Sequence, residues 1–215
     1  MKFNSGRTWR RHCFTLLEML VVIAIITVLV VALVPAVNSI SKSSGRKGAV
    51  SGLLGAVEKA RSLAIKDGQA TYIVFPDKID GGSDEIIQRY SYRSYAIFED
   101  DSATPGAIKQ MTPWQNLATG ISIRSGSLNY LANSLEFPFT PLGSGTNAKF
   151  PFLKFTPTGE IDPATTRDAT TTTGTIQIGV FEGFVDKDGN DKKTSANDFS
   201  ESIEISRLTG RAQRM

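Results

Sequence analysis

Histidine and cysteine are almost absent from this chain of 215 residues. Each occurs once, as His12 and Cys13, inside a short basic segment at the start of the sequence. A disulfide within the chain needs two cysteines, and most structural zinc sites need clustered cysteine or histidine. The sequence therefore excludes such a disulfide and provides no zinc site of this kind, and we predict no cofactor.

Recognisable catalytic patterns are also lacking. If the basic segment is removed, no histidine remains for acid/base chemistry. The sequence contains no pair of carboxylates at a telling spacing, no phosphate-binding loop and no nucleophile elbow. We therefore predict that the protein is not an enzyme.

Positive charge is unevenly distributed. The chain has 24 basic and 21 acidic side chains and a formal charge of +3. Four of the basic residues precede residue 13, where there is no acid, and they are Lys2, Arg7, Arg10 and Arg11. Without those four, 20 basic side chains face 21 acidic ones. The basic character belongs to a short leader, which indicates targeting.

One long apolar run follows this leader. Residues 19–34 read MLVVIAIITVLVVALV, with Thr27 as the only polar side chain. As a helix, residues 14–37 would extend roughly 36 Å, against about 30 Å for the hydrocarbon core of a bilayer. We predict a single membrane span, with the N terminus in the cytoplasm because the basic residues precede it. A cleaved secretory signal peptide and a simple signal anchor are the alternatives.

An acidic residue, Glu18, lies near the start of this run. A carboxylate in the centre of a spanning helix costs about 2.5 to 3.5 kcal/mol, and less near an end. The positive end of the helix dipole would favour it, and a free amine created by cleavage before Phe14 would add a full positive charge. We therefore predict that proteolysis supplies the counter-charge of Glu18.

The segment RRHCFTLLEMLVVIAII, residues 10–26, resembles the start of type IV prepilins and of type II secretion minor pseudopilins. The resemblance implies that a prepilin peptidase cleaves between Cys13 and Phe14 and methylates the Phe14 amine. It implies that Glu18 pairs with the N terminus of a neighbouring subunit during filament assembly, and that Pro35 interrupts the helix. Cys13 stands where this family usually has glycine.

The same resemblance implies partners and a location. The partners are other pseudopilins or pilins, the prepilin peptidase and an inner-membrane assembly platform. The chain would lie in the inner membrane with its C-terminal domain in the periplasm, and later in a periplasmic or surface filament. Residues 53–75, 114–123, 155–161 and 203–212 are similar to the GspH/FimT subgroup, and the chain also resembles the family labelled Verru_Chthon cassette protein D.

The sequence predicts four consecutive regions. They are a leader at 1–13, the apolar helix at 14–37, a polar hinge with an amphipathic helix at 38–68, and a β-rich domain at 69–215. Apolar residues at helical spacing define the amphipathic helix, and Gly68 suits its C-cap. Strand patterns follow at 70–75, 89–98, 120–126, 149–161, 174–185 and 202–213. This order predicts an α+β fold, with the helix packed on a mainly antiparallel sheet and with surface loops at 99–118, 127–149 and 186–200.

The segment DKDGNDKKTSAND has the alternating oxygen ligands of a cation loop, at Asp186, Asp188 and Asn190. An EF-hand is excluded, because the glycine is at position 189 and the twelfth position is Asn197. A looser calcium site and a solvated hairpin loop remain as alternatives, and we favour the loop.

Three arginines, Arg207, Arg211 and Arg214, lie near the C terminus with no acid among residues 206–215. Such a cluster could contact phosphates, as in a DNA-binding minor pilin that serves DNA uptake. Charge on an edge strand also discourages edge-to-edge pairing, and we favour that explanation. The resemblance to prepilins and pseudopilins implies instead a structural role, as a subunit of a type II secretion or type IV pilus-like filament.

Overall fold

The computed structural model describes residues 16–215 except 105, 167–173 and 195–199, and only the backbone of 31–43. The predicted leader, with its cleavage and methylation site at Cys13 and Phe14, lies outside the described residues. The chain divides into two compact units, Met1–Ser41 and Lys42–Met215.

The longest element is helix α1, Leu16–Asp67. Its C-terminal part carries a stripe of buried small and branched residues, Ala49, Val50, Leu53, Ala56, Val57, Ala60 and Ala64. The helix ends where Gly68 adopts a left-handed conformation with φ of 66°. The Gly68 amide donates to the Ala64 carbonyl oxygen at 3.1 Å, as expected for a helix C-cap.

Helix α1 continues through Pro35 and through residues 38–48, where the sequence predicts a helix break and a hinge. The break at Pro35 and the hinge therefore stay predictions, within a segment assigned throughout as helix. A proline removes one hydrogen bond but fixes φ near −65°, which is compatible with a helix that has several turns on each side. The polar segment stays helical because Arg46 forms ion pairs within the second unit and Ala49 is buried there.

Two five-stranded antiparallel sheets form most of the second unit. The first contains β1 (Thr71–Val74), β2 (Ser94–Asp100), β3 (Ile108–Gln110), β4 (Gln115–Asn116) and β8 (Phe152–Phe155). The second contains β5 (Ile121–Ile123), β9 (Thr175–Val185), β10 (Asp191–Lys193), β11 (Ser200–Ser206) and β12 (Ala212–Arg214). Strands β6 (Glu136–Pro138) and β7 (Asn147–Lys149) pair separately. All of these pairings are antiparallel, which confirms the predicted α+β class.

Short helices connect the strands. Helix α2 is Asp84–Tyr90 and helix α3 is Ser125–Asn129, and 3-10 turns lie at Thr140–Leu142 and Pro163–Thr165. The predicted strand at 89–98 is therefore wrong at its start, because α2 continues to Tyr90 and β2 begins only at Ser94. The Ser83 hydroxyl accepts the Ile86 amide at 3.4 Å and so caps α2, which favours helix over strand locally.

The first sheet is buried on both faces because β1 alternates between two cores. Ile73 faces the core formed with α1 and the second sheet, whereas Tyr72 and Val74 face an aromatic cluster. That cluster includes Phe98, Phe137, Phe139, Phe150 and Phe152, whose rings meet at mostly edge-to-face angles. The region 127–149, predicted as a surface loop, covers this face through β6 and β7.

Candidate functional site

The N-terminal part of α1 exposes a long, mainly apolar surface. Every residue from 16 to 30 is exposed, including Leu16 at 84% and Ile23 at 61%. Exposed apolar surface of this extent marks contact with a partner or with lipid. We call residues 16–30 the apolar helix segment. Within the part of the chain that the structure describes, no helix combines the length and the hydropathy needed to cross a membrane.

Glu18 and Thr27 are the only polar side chains of the apolar helix segment. Thr27 donates from Oγ1 to the Ile23 carbonyl oxygen at 2.7 Å, so its polar group is satisfied within the helix. Glu18 lies in the first described turn, where the positive end of the helix dipole favours a carboxylate. Exposed Leu17 and Met19 flank it, so any partner that covers this surface also surrounds the carboxylate.

The predicted calcium loop has the geometry of a hairpin turn between β9 and β10. Asp186 Oδ1 accepts the amides of Asp188 at 3.0 Å and Asn190 at 2.8 Å, and Oδ2 lies 3.4 Å from Lys192 Nζ. The Asn190 amide contributes most to lowering the pKa of Asp186. Its carboxylate thus organises the loop itself. Among the described residues, no three acidic, histidine or cysteine side chains form a group able to hold a metal.

The C-terminal arginines occupy different positions in the second sheet. Arg214 is in β12, and its Nη2 lies 2.8 Å from Oε2 of Glu201 in β11. Arg211 is exposed in the turn before β12, and Arg207 is partly buried after β11. Glu201 lies thirteen positions before Arg214 in the sequence. The fold therefore brings an acidic side chain next to a C-terminal segment that contains none.

Arg46 belongs to a cluster of charged side chains, which we call the ionic centre, that the sequence does not reveal. Its guanidinium forms an ion pair with Glu182 of β9, and its Nε lies 4.0 Å from Glu201. The side chains of Arg46 and Glu182 are 13% and 8% exposed. Together with Arg214, two arginines and two glutamates join the helix to the second sheet. The sequence places Arg46 in a polar segment, and its partner Glu182 is 136 positions away.

Comparison with known proteins gives one match to a family profile. The profile described as the prokaryotic N-terminal methylation motif matches residues 11–34. The chain carries a prepilin-type N terminus. This confirms the predicted resemblance to type IV pilins and pseudopilins, and the matched residues include Phe14 and Glu18. A search of curated proteins found no match.

Two solved structures align with most of this prepilin-like chain. Both are crystal structures of the type IV minor pilin FimU from Pseudomonas aeruginosa, in space groups P21 and P65. The first is 14% identical, covers 82% of this chain and 92% of its own, and has a TM-score of 0.41. The second is 16% identical, covers 79% and 91%, and has a TM-score of 0.38. At these TM-scores the likeness carries no argument about function.

Proposed function

We propose that the chain is a structural subunit of a type IV pilus-like or type II secretion filament, and that it assembles through the apolar helix segment. The observation that carries this proposal is fifteen consecutive exposed residues, 16–30, inside the region matched by the methylation motif. The proposed role is structural and not enzymatic. The GspH/FimT-like subgroup is the one we propose within this group.

The exposed apolar side chains would be buried twice in succession, first in lipid and then in the filament. Twelve large apolar side chains of the segment are between 43% and 84% exposed. Covering them contributes on the order of 10 kcal/mol, before the entropy cost of association. Lipid covers them first, when the chain spans the inner membrane once with its C-terminal domain in the periplasm. Helices of neighbouring subunits cover them in the filament.

Glu18 gives this packing its register. Lipid or a neighbouring apolar helix would surround its carboxylate, and a charge in such surroundings needs a counter-charge. Prepilin peptidase cleaves before Phe14, and the methylated Phe14 amine of a neighbouring subunit then pairs with Glu18. Thr27 sets no register, because its hydroxyl is already bonded within its own helix. An inner-membrane assembly platform and other pilins are the remaining partners.

The first experiment determines the mature N terminus by mass analysis of the chain isolated from membranes. We expect a chain that starts at Phe14 with one added methyl group. An intact Met1, or a start beyond residue 36, would contradict the proposal. A Cys13→Gly variant shows whether the cysteine before the cleavage point slows processing.

The second experiment separates assembly from processing. We expect Glu18→Ala to be processed but to lose co-assembly with the other pilins, measured by crosslinking and filament purification. Thr27→Val is the matched control, since it also removes a polar group from the segment, and it should assemble normally. Normal assembly of Glu18→Ala would refute the proposed role of the carboxylate.

A DNA-binding role in uptake is less well supported. Of the three C-terminal arginines, Arg214 is engaged with Glu201, which leaves Arg211 as the exposed arginine without an ion pair among the described residues. One exposed cation gives weak attraction to a phosphate backbone.

A further inference from the structure

We propose that a cleft between α2 and the β9–β10 hairpin binds an acidic segment of a partner protein, with Arg93 receiving its carboxylate. The cleft has a volume of about 820 Å³, within the range typical of ligand sites. Its walls include Ile87 and Gln88 of α2, Tyr92 and Arg93 before β2, and Phe184 and Lys187 of the hairpin. The proposal does not depend on the apolar helix segment.

Arg93 lacks a carboxylate partner in the described part of the chain. Its guanidinium is partly buried, and burial lowers its pKa. Nη1 donates to the Gln88 carbonyl oxygen at 3.1 Å, but buried Nε has no acceptor. A guanidinium has five N–H donors and remains charged, so partial burial without a counter-ion is unfavourable. An incoming carboxylate would supply both the negative charge and the missing acceptors.

The charges that line the cleft balance, because Lys78, Arg93 and Lys187 stand against Asp80, Asp84 and Asp186. Lys78, Asp80, Asp84 and Lys187 are exposed, where water screens them. The Asp186 carboxylate already accepts hydrogen bonds from the loop amides and forms an ion pair with Lys192. Arg93 is therefore the lining charge that is both partly buried and without an opposite charge. This arrangement favours an anion, and its planar guanidinium favours a carboxylate bound by two hydrogen bonds.

The cleft also offers apolar contact and a fixed backbone. Phe184 is 57% exposed, although it is a large aromatic side chain. Tyr92 has φ of 56°, the only positive φ of a non-glycine residue in the described chain. Its amide donates to the Pro76 carbonyl oxygen, and its carbonyl oxygen accepts the Ile123 amide, each at 2.7 Å. Such strained residues cluster at binding sites, and this one fixes the backbone immediately before Arg93.

These features favour an occupant in which an acidic residue lies next to an apolar one. The probe is a short labelled peptide of alternating aspartate and leucine, and its control has asparagine in place of aspartate. Binding to the full chain in detergent is followed by fluorescence anisotropy. We expect saturable binding of the aspartate peptide only, with affinity that falls as salt is raised.

Variants locate the binding site. Arg93→Gln should weaken binding about tenfold, as expected for loss of one charge-assisted contact. Arg89→Gln is the matched control, because Arg89 is an exposed arginine of α2 outside the cleft wall, and it should bind normally. If Arg93→Gln does not fold, Phe184→Ala tests the same cleft from its exposed side, and weaker binding is again expected.

Several results would overturn the proposal. They are equal binding of the two peptides, no saturable binding of the aspartate peptide, or unchanged affinity in both cleft variants. Complete competition by acetate at the concentration of the peptide would also overturn it, because the site would then recognise a small anion and not a polypeptide.

Discussion

Replacing Arg46 by methionine tests whether the ionic centre holds α1 on the second sheet. Methionine keeps an apolar stem of similar length but removes the charge. Glu182 would then remain 8% exposed without its cation, and Glu201 would keep only Arg214. The substitution therefore isolates the electrostatic contribution of one side chain.

The expected loss of stability follows from this geometry. Removing one partner of a buried ion pair costs about 3 to 5 kcal/mol, because the other charge is left buried and uncompensated. We expect about 3 kcal/mol, the lower end, because Glu182 lies near the surface and water can reach it after relaxation. For a domain of this size such a loss lowers Tm by about 6 to 12 °C.

Urea denaturation of the full chain in detergent measures this effect, with fluorescence of Trp114 in the aromatic cluster as the signal. Lys47→Met is the matched control, since Lys47 is the adjacent exposed cation, and its loss should stay within about 0.5 kcal/mol. The double variant Arg46→Met with Glu182→Leu should recover much of the lost stability. A loss below about 1 kcal/mol for Arg46→Met, or an equal loss for Lys47→Met, would refute the reasoning.

Two further predictions concern the end of α1 and a glycine turn. Burial and, secondly, the charge of Asp67 raise the pKa of Glu99. The folded chain therefore binds the Glu99 proton more tightly than the unfolded chain does. The free energy of unfolding consequently falls as the pH rises above about 4.5. Glu99→Gln should remove this fall. The free energy of unfolding of the variant, measured by denaturation, should therefore exceed that of the wild type by an amount that grows from pH 4 to pH 7. A difference that is constant with pH would contradict this prediction. Gly210→Ala should cost about 2 kcal/mol or more, because φ is 63° and the new Cβ would lie 2.1 Å from the Gly159 carbonyl oxygen. Gly81→Ala, with φ of 77° and open space around it, should show the smaller cost of backbone strain alone in the same assay.

Regular periodicity explains which elements could be predicted. The buried stripe of α1 repeats every three or four residues, and β9 and β11 are long enough to show alternation. Strands such as β4, two exposed residues, carry no period and form because β2 offers an open edge. The predicted loop at 127–149 contains Phe137 and Phe139, and their burial under the first sheet depends on tertiary packing that a local pattern does not encode.

The candidate sites differ in the same way. Phe14 and Glu18 belong to a compact linear pattern, so the sequence alone is enough to propose them, and the matched motif includes both. Arg46 and Arg93 belong to no such pattern. The acid that pairs with Arg46 lies 136 positions away in the sequence. Arg93 stands out only because no acidic side chain of the described chain pairs with it, which a sequence pattern does not show. The arginine-rich C terminus gives the opposite error, because its isolation from acids in the sequence disappears when β12 pairs with β11.

Helix α1 thus contains two apolar surfaces whose burial has different consequences. The surface at residues 49–64 is covered within the chain and contributes to the stability of the second unit. The surface at residues 16–30 is exposed in the single chain, and we propose that lipid and then another subunit cover it. It follows that Glu18→Ala should change assembly and leave the denaturation midpoint of the second unit unchanged, whereas Arg46→Met should lower that midpoint. If Glu18→Ala destabilised the second unit as much as Arg46→Met does, the apolar helix segment would have a role in folding, and its exposure could not be assigned to assembly.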